Sequence, residues 1–248
     1  MTNLVALTSR ELKAFWYSPI AYVVGTLFLL LQGFVFWLLI AALNDPRTDP
    51  SFTVAQAFFG PTFFYSASVL IIVPLLTMRT FSEEKRTGTI EFLLTAPVTD
   101  GQVVLAKFLG VWIAYIMLWA LTAPFFLFLR HLTPFDWGPV VTGYVGTWLL
   151  GGVLIAVGLF ASSLTRNQVI AACLCFVTLL LFFAIGILSW FFHDPETSKM
   201  IQYLSLLDHL VDFSKGILDT QPITLYLSLT IAALFLTGRV ISNSRWRS

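Results

Sequence analysis

Residues 79–107 read RTFSEEKRTGTIEFLLTAPVTDGQVVLAK, and they lie between two long apolar runs. The passage carries Arg79, Glu83, Glu84, Lys85, Arg86, Glu91, Asp100 and Lys107. A single charged side chain at the centre of a bilayer costs at least about 2.5 kcal/mol. A segment with this charge density therefore lies outside the hydrocarbon and joins two spans. Ile90, Leu93, Leu94 and Pro97 fall at i, i+3, i+4 and i+7, which makes one apolar face of a short helix. Pro97 ends it, because proline has no backbone N–H to continue the ladder. Thr99-Asp100-Gly101-Gln102 then has the pattern of a capping box that opens a new helix. The expectation is a charged turn over 82–88, a short amphipathic helix over about 89–96, a break, and a helix from about 100.

The rest of the chain is apolar. Of its 248 residues 58% are hydrophobic and 11% charged, where soluble domains carry about 25% charged residues. Mean hydropathy is +0.86. The fold class expected is an all-α integral membrane protein with a single membrane domain over 1–248. A helix needs about 20 apolar residues to cross the hydrocarbon core. Six stretches qualify, at about 20–43, 57–78, 105–129, 140–164, 169–192 and 222–240. Each must be helical, because backbone polar groups cannot stay unpaired in lipid. The first apolar run is too long for a signal-peptide core, so no cleavable leader is expected.

Lys and Arg set the orientation. Arg10, Lys13, Arg79, Lys85, Arg86, Lys107, Arg166, Arg239, Arg245 and Arg247 fall on one side of this six-span arrangement; Arg47, Arg130, Lys199 and Lys215 fall on the other. The richer side is read as cytoplasmic, with both termini and segment 79–104 on it. The outer loops are acidic and hold all three histidines, His131, His193 and His209, which are read as solvated.

Residues 1–18 form a short amphipathic helix, with Leu12, Phe15 and Trp16 on one face and Arg10, Glu11 and Lys13 off it. Thr8-x-x-Glu11 is read as a capping box, and Ser18-Pro19 breaks the helix. Such a helix before a span lies in the membrane interface, with Arg10, Lys13, Phe15 and Trp16 as its anchors. Segment 193–221 alternates leucines with Asp208, Asp212 and Lys215, which predicts one or two short outer helices. Thr165-x-x-Gln168 is read as a capping box opening the fifth span.

No ionisable residue lies in the middle of a span, which argues against a self-sufficient ion-coupled transporter. Gln32, Ser66, Ser68 and Thr178 are read as interhelical hydrogen-bonders. The glycines of span four, from Gly143 to Gly158, are read as packing positions within the subunit. Pro61, Pro74 and Pro124 kink or end spans two and three. Cys173 and Cys175 are read as small buried apolar side chains rather than ligands. The sequence has no G-x-x-x-x-G-K-[ST] and no H-E-x-x-H, so it is not expected to be an enzyme or to bind ATP, a metal or nucleic acid itself.

The wording EEKRTGTIEFLLTAPV, followed by Lys107 and Gly110 in the next span, resembles the ABC-2-type transporter permeases. Glu83, Glu84, Gly88, Thr89, Glu91, Leu93 and Pro97 carry the match. Its flavour is similar to the short gliding-motility and nitrous oxide reductase maturation permeases. The resemblance implies an elbow helix at the N-terminus, a cytoplasmic coupling helix after span two and short outer helices before span six. It also implies that Glu83, Glu84, Lys85, Arg86, Gly88, Thr89, Glu91, Leu93 and Pro97 contact a separate ATPase subunit. Two such ATPases, which bind ATP and Mg, would work with two permeases, a homodimer or a pair of similar chains, in a bacterial inner membrane. An unknown substrate would be exported or moved across the bilayer. The alternative is a membrane anchor or scaffold of a motility or assembly complex that moves no substrate.

Overall fold

The computed structural model describes residues 2–43, 53–89, 99–133, 135–188 and 203–245. They are helical apart from short turns and loops. Helix α1 (Thr2–Trp16) ends in a two-residue turn before α2 (Pro19–Leu43). Pro19 sits at the first helical position, where its missing N–H costs nothing. Span two is broken at Pro61 but does not end at Pro74: α3 (Val54–Phe59) stops at Gly60-Pro61, α4 (Phe63–Thr77) restarts behind the Thr62 side chain, which accepts from Tyr65 N, and Pro74 lies within α4. A tight turn leads to α5 (Ser82–Thr87). Span three is also in two pieces, α6 (Asp100–Ala120) and α7 (Ala123–Leu132), with Pro124 at the start of the second. The chain continues through α8 (Gly138–Leu164), α9 (Gln168–Leu188), the short α10 (Asp208–Ser214) and α11 (Thr220–Arg245). Among the described residues six helical stretches are long and apolar enough to cross a membrane. They overlap the six stretches read from the sequence, although the second begins at Phe63 rather than at 57 and the end of the fifth, 189–192, lies outside the described residues.

Helix α8 is the central post. It packs against α3, α4, α6, α9, α10 and α11. Lipid tails are as apolar as leucine, so hydrophobicity alone does not hold membrane helices together; close packing and interhelical hydrogen bonds do. Both are concentrated on α8. A Cβ on Gly151 would lie 2.1 Å from the Tyr115 ring, and one on Gly146 would lie 2.6 Å from the Phe213 ring. These glycines admit aromatic rings from α6 and α10 against the α8 backbone, so the small residues of span four do serve packing inside the subunit. Around the N-terminal end of α8 the rings of Phe58, Phe59, Trp119, Phe126 and Tyr144 pack edge to face, tilted or stacked, with centroids 4.7–6.4 Å apart.

The interhelical hydrogen bonds are not the ones expected. Ser68 and Thr178 donate to Phe64 O and Leu174 O of their own helices, and Gln32 is buried with its Nε2 atom unpaired. Tyr65 Oη donates to Thr147 Oγ1 at 3.3 Å, Trp112 Nε1 to Trp148 O at 2.8 Å and Thr142 Oγ1 to Phe213 O at 2.6 Å instead. Each such bond contributes on the order of 0.6 kcal/mol in membrane proteins.

Four further expectations are corrected. Thr8 does not cap α1; it sits mid-helix and donates to Leu4 O. Thr165 follows the end of α8, and the α9 start is capped by Asn167, whose Oδ1 accepts from Val169 N at 2.9 Å. His209 is buried between the Tyr203 and Tyr226 rings, with Nε2 3.0 Å from Tyr203 O, whereas His131 is exposed as expected. Cys175 is buried but Cys173 is exposed on the outer face of α9.

Candidate functional site

The charged segment that follows span two begins as a helix rather than a turn. In α5, Glu83 and Glu84 fall in the first turn and Lys85 and Arg86 in the last, the order that complements the helix dipole. Glu83 Oε1 accepts from Arg86 Nη2 at 2.6 Å. Gly88 ends the helix with φ +74°, a left-handed conformation that glycine adopts without strain. Gly88 and Thr89 are exposed. Residues 90–98, and with them the expected amphipathic helix and Glu91, Leu93 and Pro97, lie outside the described residues. The Thr99/Gln102 capping box is formed in both directions: Gln102 N donates to Thr99 Oγ1 and Thr99 N to Gln102 Oε1.

Helix α5 is fastened to two spans. On one side Lys107, two turns into α6 and only 3% exposed, donates to Glu84 Oε1 at 2.7 Å and to Glu11 Oε2 at 3.3 Å. Its ammonium also lies 5.4 Å from the centroid of the Phe81 ring. Glu11 completes the network by accepting from Arg10 at 2.9 Å. The result is a chain of alternating charge, Arg10–Glu11–Lys107–Glu84, with no net charge. A lone buried ammonium would be costly; here it is flanked by two carboxylates that are each less than 20% exposed. On the other side Ser162 Oγ, near the end of α8, accepts from Phe81 N and Ser82 N, both at 3.2 Å, and lies 3.2 Å from Met78 O, to which it donates. Lys85 Nζ donates to Ser163 O.

Helix α1 lies along the start of α6. The contact is close because position 110 is glycine: a Cβ there would meet Glu11 Cβ at 2.8 Å. Phe15 and Trp16 are half-buried with their rings 5.7 Å apart, and Lys13 is exposed. A cavity of about 320 Å³ opens between α1, α4, α5 and α6, with Glu11, Arg79, Glu84 and Lys107 on its wall.

Of the residues singled out in the sequence, the fold thus brings Arg10, Glu84, Lys107 and Gly110 to one junction. It directs Arg86, Thr87, Gly88 and Thr89 outward. Glu11 and Ser162 were not singled out for this junction. The spacing of Glu11 from Thr8 reads as a capping box, a role it does not have, and Ser162 sits in the unremarkable run Ala161-Ser162-Ser163.

The geometry is that of a mechanical junction: side chains that fix helices to one another, with no triad of nucleophile, base and orienting acid among the described residues. No curated protein matches the chain. A family model described as ABC-2 family transporter protein matches residues 42–240, from the end of the first span through the sixth. Six spans and this match across most of the sequence agree: the chain belongs to the ABC-2 transporter family, as the multi-pass permease subunit of an ABC transporter that pairs with an ATPase.

Proposed function

We propose that segment 82–97 receives the motion of the ATPase partner and that the Lys107 junction passes it to the spans. The observation that supports this most directly is the double fastening of α5. It is salt-bridged to α6 through Glu84 and Lys107, and hydrogen-bonded to the end of α8 through Ser162 and Ser163. A push on α5 therefore reaches spans two, three and four together. ATP and Mg bound by two ATPase subunits would close them, and two permease copies would tilt between inward- and outward-facing or closed arrangements. This is a ligand shifting a two-state equilibrium through its different affinity for the two states.

The exposed Arg86, Gly88 and Thr89 and the half-buried Glu83 and Lys85, together with Glu91, Leu93 and Pro97 further along the chain, are the proposed ATPase contact. Arg10, Lys13, Phe15 and Trp16 hold α1 as an elbow in the cytoplasmic interface, which puts both termini in the cytoplasm. Export across a bacterial inner membrane is the proposed direction.

The test is affinity purification of the tagged chain in mild detergent with identification of what copurifies. A stoichiometric P-loop ATPase is expected, with recruitment weakened in E83A/R86A. Absence of any ATPase under conditions that preserve other such complexes would favour an anchoring or scaffolding role.

A further inference from the structure

Beside the junction, and sharing Arg79 with the cavity there, a second cavity of about 560 Å³ lies between the turn after α4, helix α5 and the α8–α9 loop. Arg79, Arg86 and Arg166 line it, together with the Asn167 cap. Lys85 is close enough to Arg166 for their like charges to repel. Three arginines and no carboxylate line the cavity, and of the three Arg86 is paired with Glu83. Among the described residues Arg79 and Arg166 have no acidic partner, whereas Arg10 and Lys107 of the neighbouring junction are both neutralised. Guanidinium groups around an open cavity match the planar, multi-oxygen geometry of a phosphate.

The location narrows the source of that phosphate. The cavity lies where α4 and α8 end and α9 begins, at the edge of the apolar spans. Directly below it the outer face of α9 is bare. Val169 is 68% exposed, and Ile170, Leu174, Val177 and Leu181 continue the face downward at spacings of four, three and four residues. The eleven steps from Ile170 to Leu181 rise ~16 Å, about half of a ~30 Å hydrocarbon core and so about one leaflet deep. A cationic cavity set over an apolar strip one leaflet long has the amphipathic shape of a phospholipid.

We propose that this cavity holds the phosphate headgroup of an anionic phospholipid of the same leaflet, with its acyl chains along α9. This goes beyond the transport reading: the binding itself does not depend on it, and only the coupling to a moving segment rests on it. The bound lipid would lie against α5 and the α8–α9 loop, and so report leaflet composition to the segment that moves.

The test uses the full-length chain in neutral detergent, with phosphatidylglycerol or phosphatidylcholine added at equal mole fraction and the retained lipid measured after washing. Preferential retention of phosphatidylglycerol by about tenfold is expected. That preference should disappear in R79Q/R166Q and survive in R130Q, which alters an arginine stacked on Trp137 on the opposite face. Equal retention of the two lipids overturns the proposal. So does a preference unchanged in R79Q/R166Q, or loss of a copurifying ATPase from that variant with lipid retention intact, which would make the cavity a site for a protein's acidic groups. Should the double variant fail to fold, competition on the unaltered chain decides. Displacement of phosphatidylglycerol by millimolar glycerol phosphate assigns the cavity to free phosphate and overturns the lipid assignment; persistence of the bound lipid supports it.

Discussion

Lys107 and Glu84 meet at 2.7 Å across the gap between the third span and the helix that follows the second. The pair is buried on the lysine side, and Glu11 of the N-terminal helix shares the same ammonium. Three elements far apart in sequence are held by one nitrogen atom.

Removing that nitrogen leaves Glu84 without a cation and Glu11 with Arg10 alone. Lys107→Met should lower stability by about 3–5 kcal/mol, the usual cost of breaking a buried pair from one side. Thermal unfolding in detergent reads this out. Neutralising the carboxylates as well, in E11Q/E84Q/K107M, should recover part of the loss. If the triple variant is no more stable than K107M, the charges are not what holds the junction.

Gly110→Ala tests the packing of α1 on α6. The added methyl would lie 2.8 Å from Glu11 Cβ, so α1 must move outward. An overpacked contact of this kind costs about 1–3 kcal/mol. A cysteine pair placed across α1 and α6 should crosslink more slowly in G110A; an unchanged crosslinking rate would mean that the helices do not approach as described.

Gly88 separates conformation from contact. Nothing lies within 4 Å of a Cβ built there, yet its φ is +74°. Gly88→Ala should cost about 1–2 kcal/mol in local backbone strain, while Gly88→Asn, which tolerates the left-handed region, should cost less. The readout is hydrogen exchange at Arg86 and Thr87. Equal exchange in the two variants would refute the conformational explanation.

Gly151→Ala sets a methyl where the Tyr115 ring lies 2.1 Å away. It should destabilise the domain by about 1–3 kcal/mol, and the extra loss should shrink in a Tyr115→Leu background because the two sites share one space. A double-mutant cycle of unfolding temperatures measures this. Additive losses would place the ring elsewhere.

The spans and their breaks were legible because composition, length and proline chemistry act locally. Gly60-Pro61 and Pro124 interrupt spans two and three as their missing N–H groups require, and the Thr99/Gln102 box closes as its spacing requires. Thr8 has the same spacing but sits inside a longer helix, so its hydroxyl turns back to Leu4 O and caps nothing. The polar groups of the spans were misread for a related reason. A serine or threonine in a helix satisfies itself on the carbonyl four residues back, as Ser68 and Thr178 do. Only the position on the helix face, which the sequence alone does not give, decides which hydroxyl reaches a neighbour. Lys107 was picked out as a residue, but its partnership with Glu11 spans 96 positions, and nothing local marks such a pair.

That separation also has a consequence for biogenesis. Glu11 leaves the ribosome 96 residues ahead of Lys107, which is not made until the third span is entering the membrane. At ~5–20 residues per second the N-terminal helix waits ~5–20 s for Lys107. Over that interval it has neither the ammonium nor the Gly110 groove that will hold it. The lock at this end of the protein is therefore set when the third span arrives, and any variant that delays that insertion lengthens the time for which the first helix is left unattached.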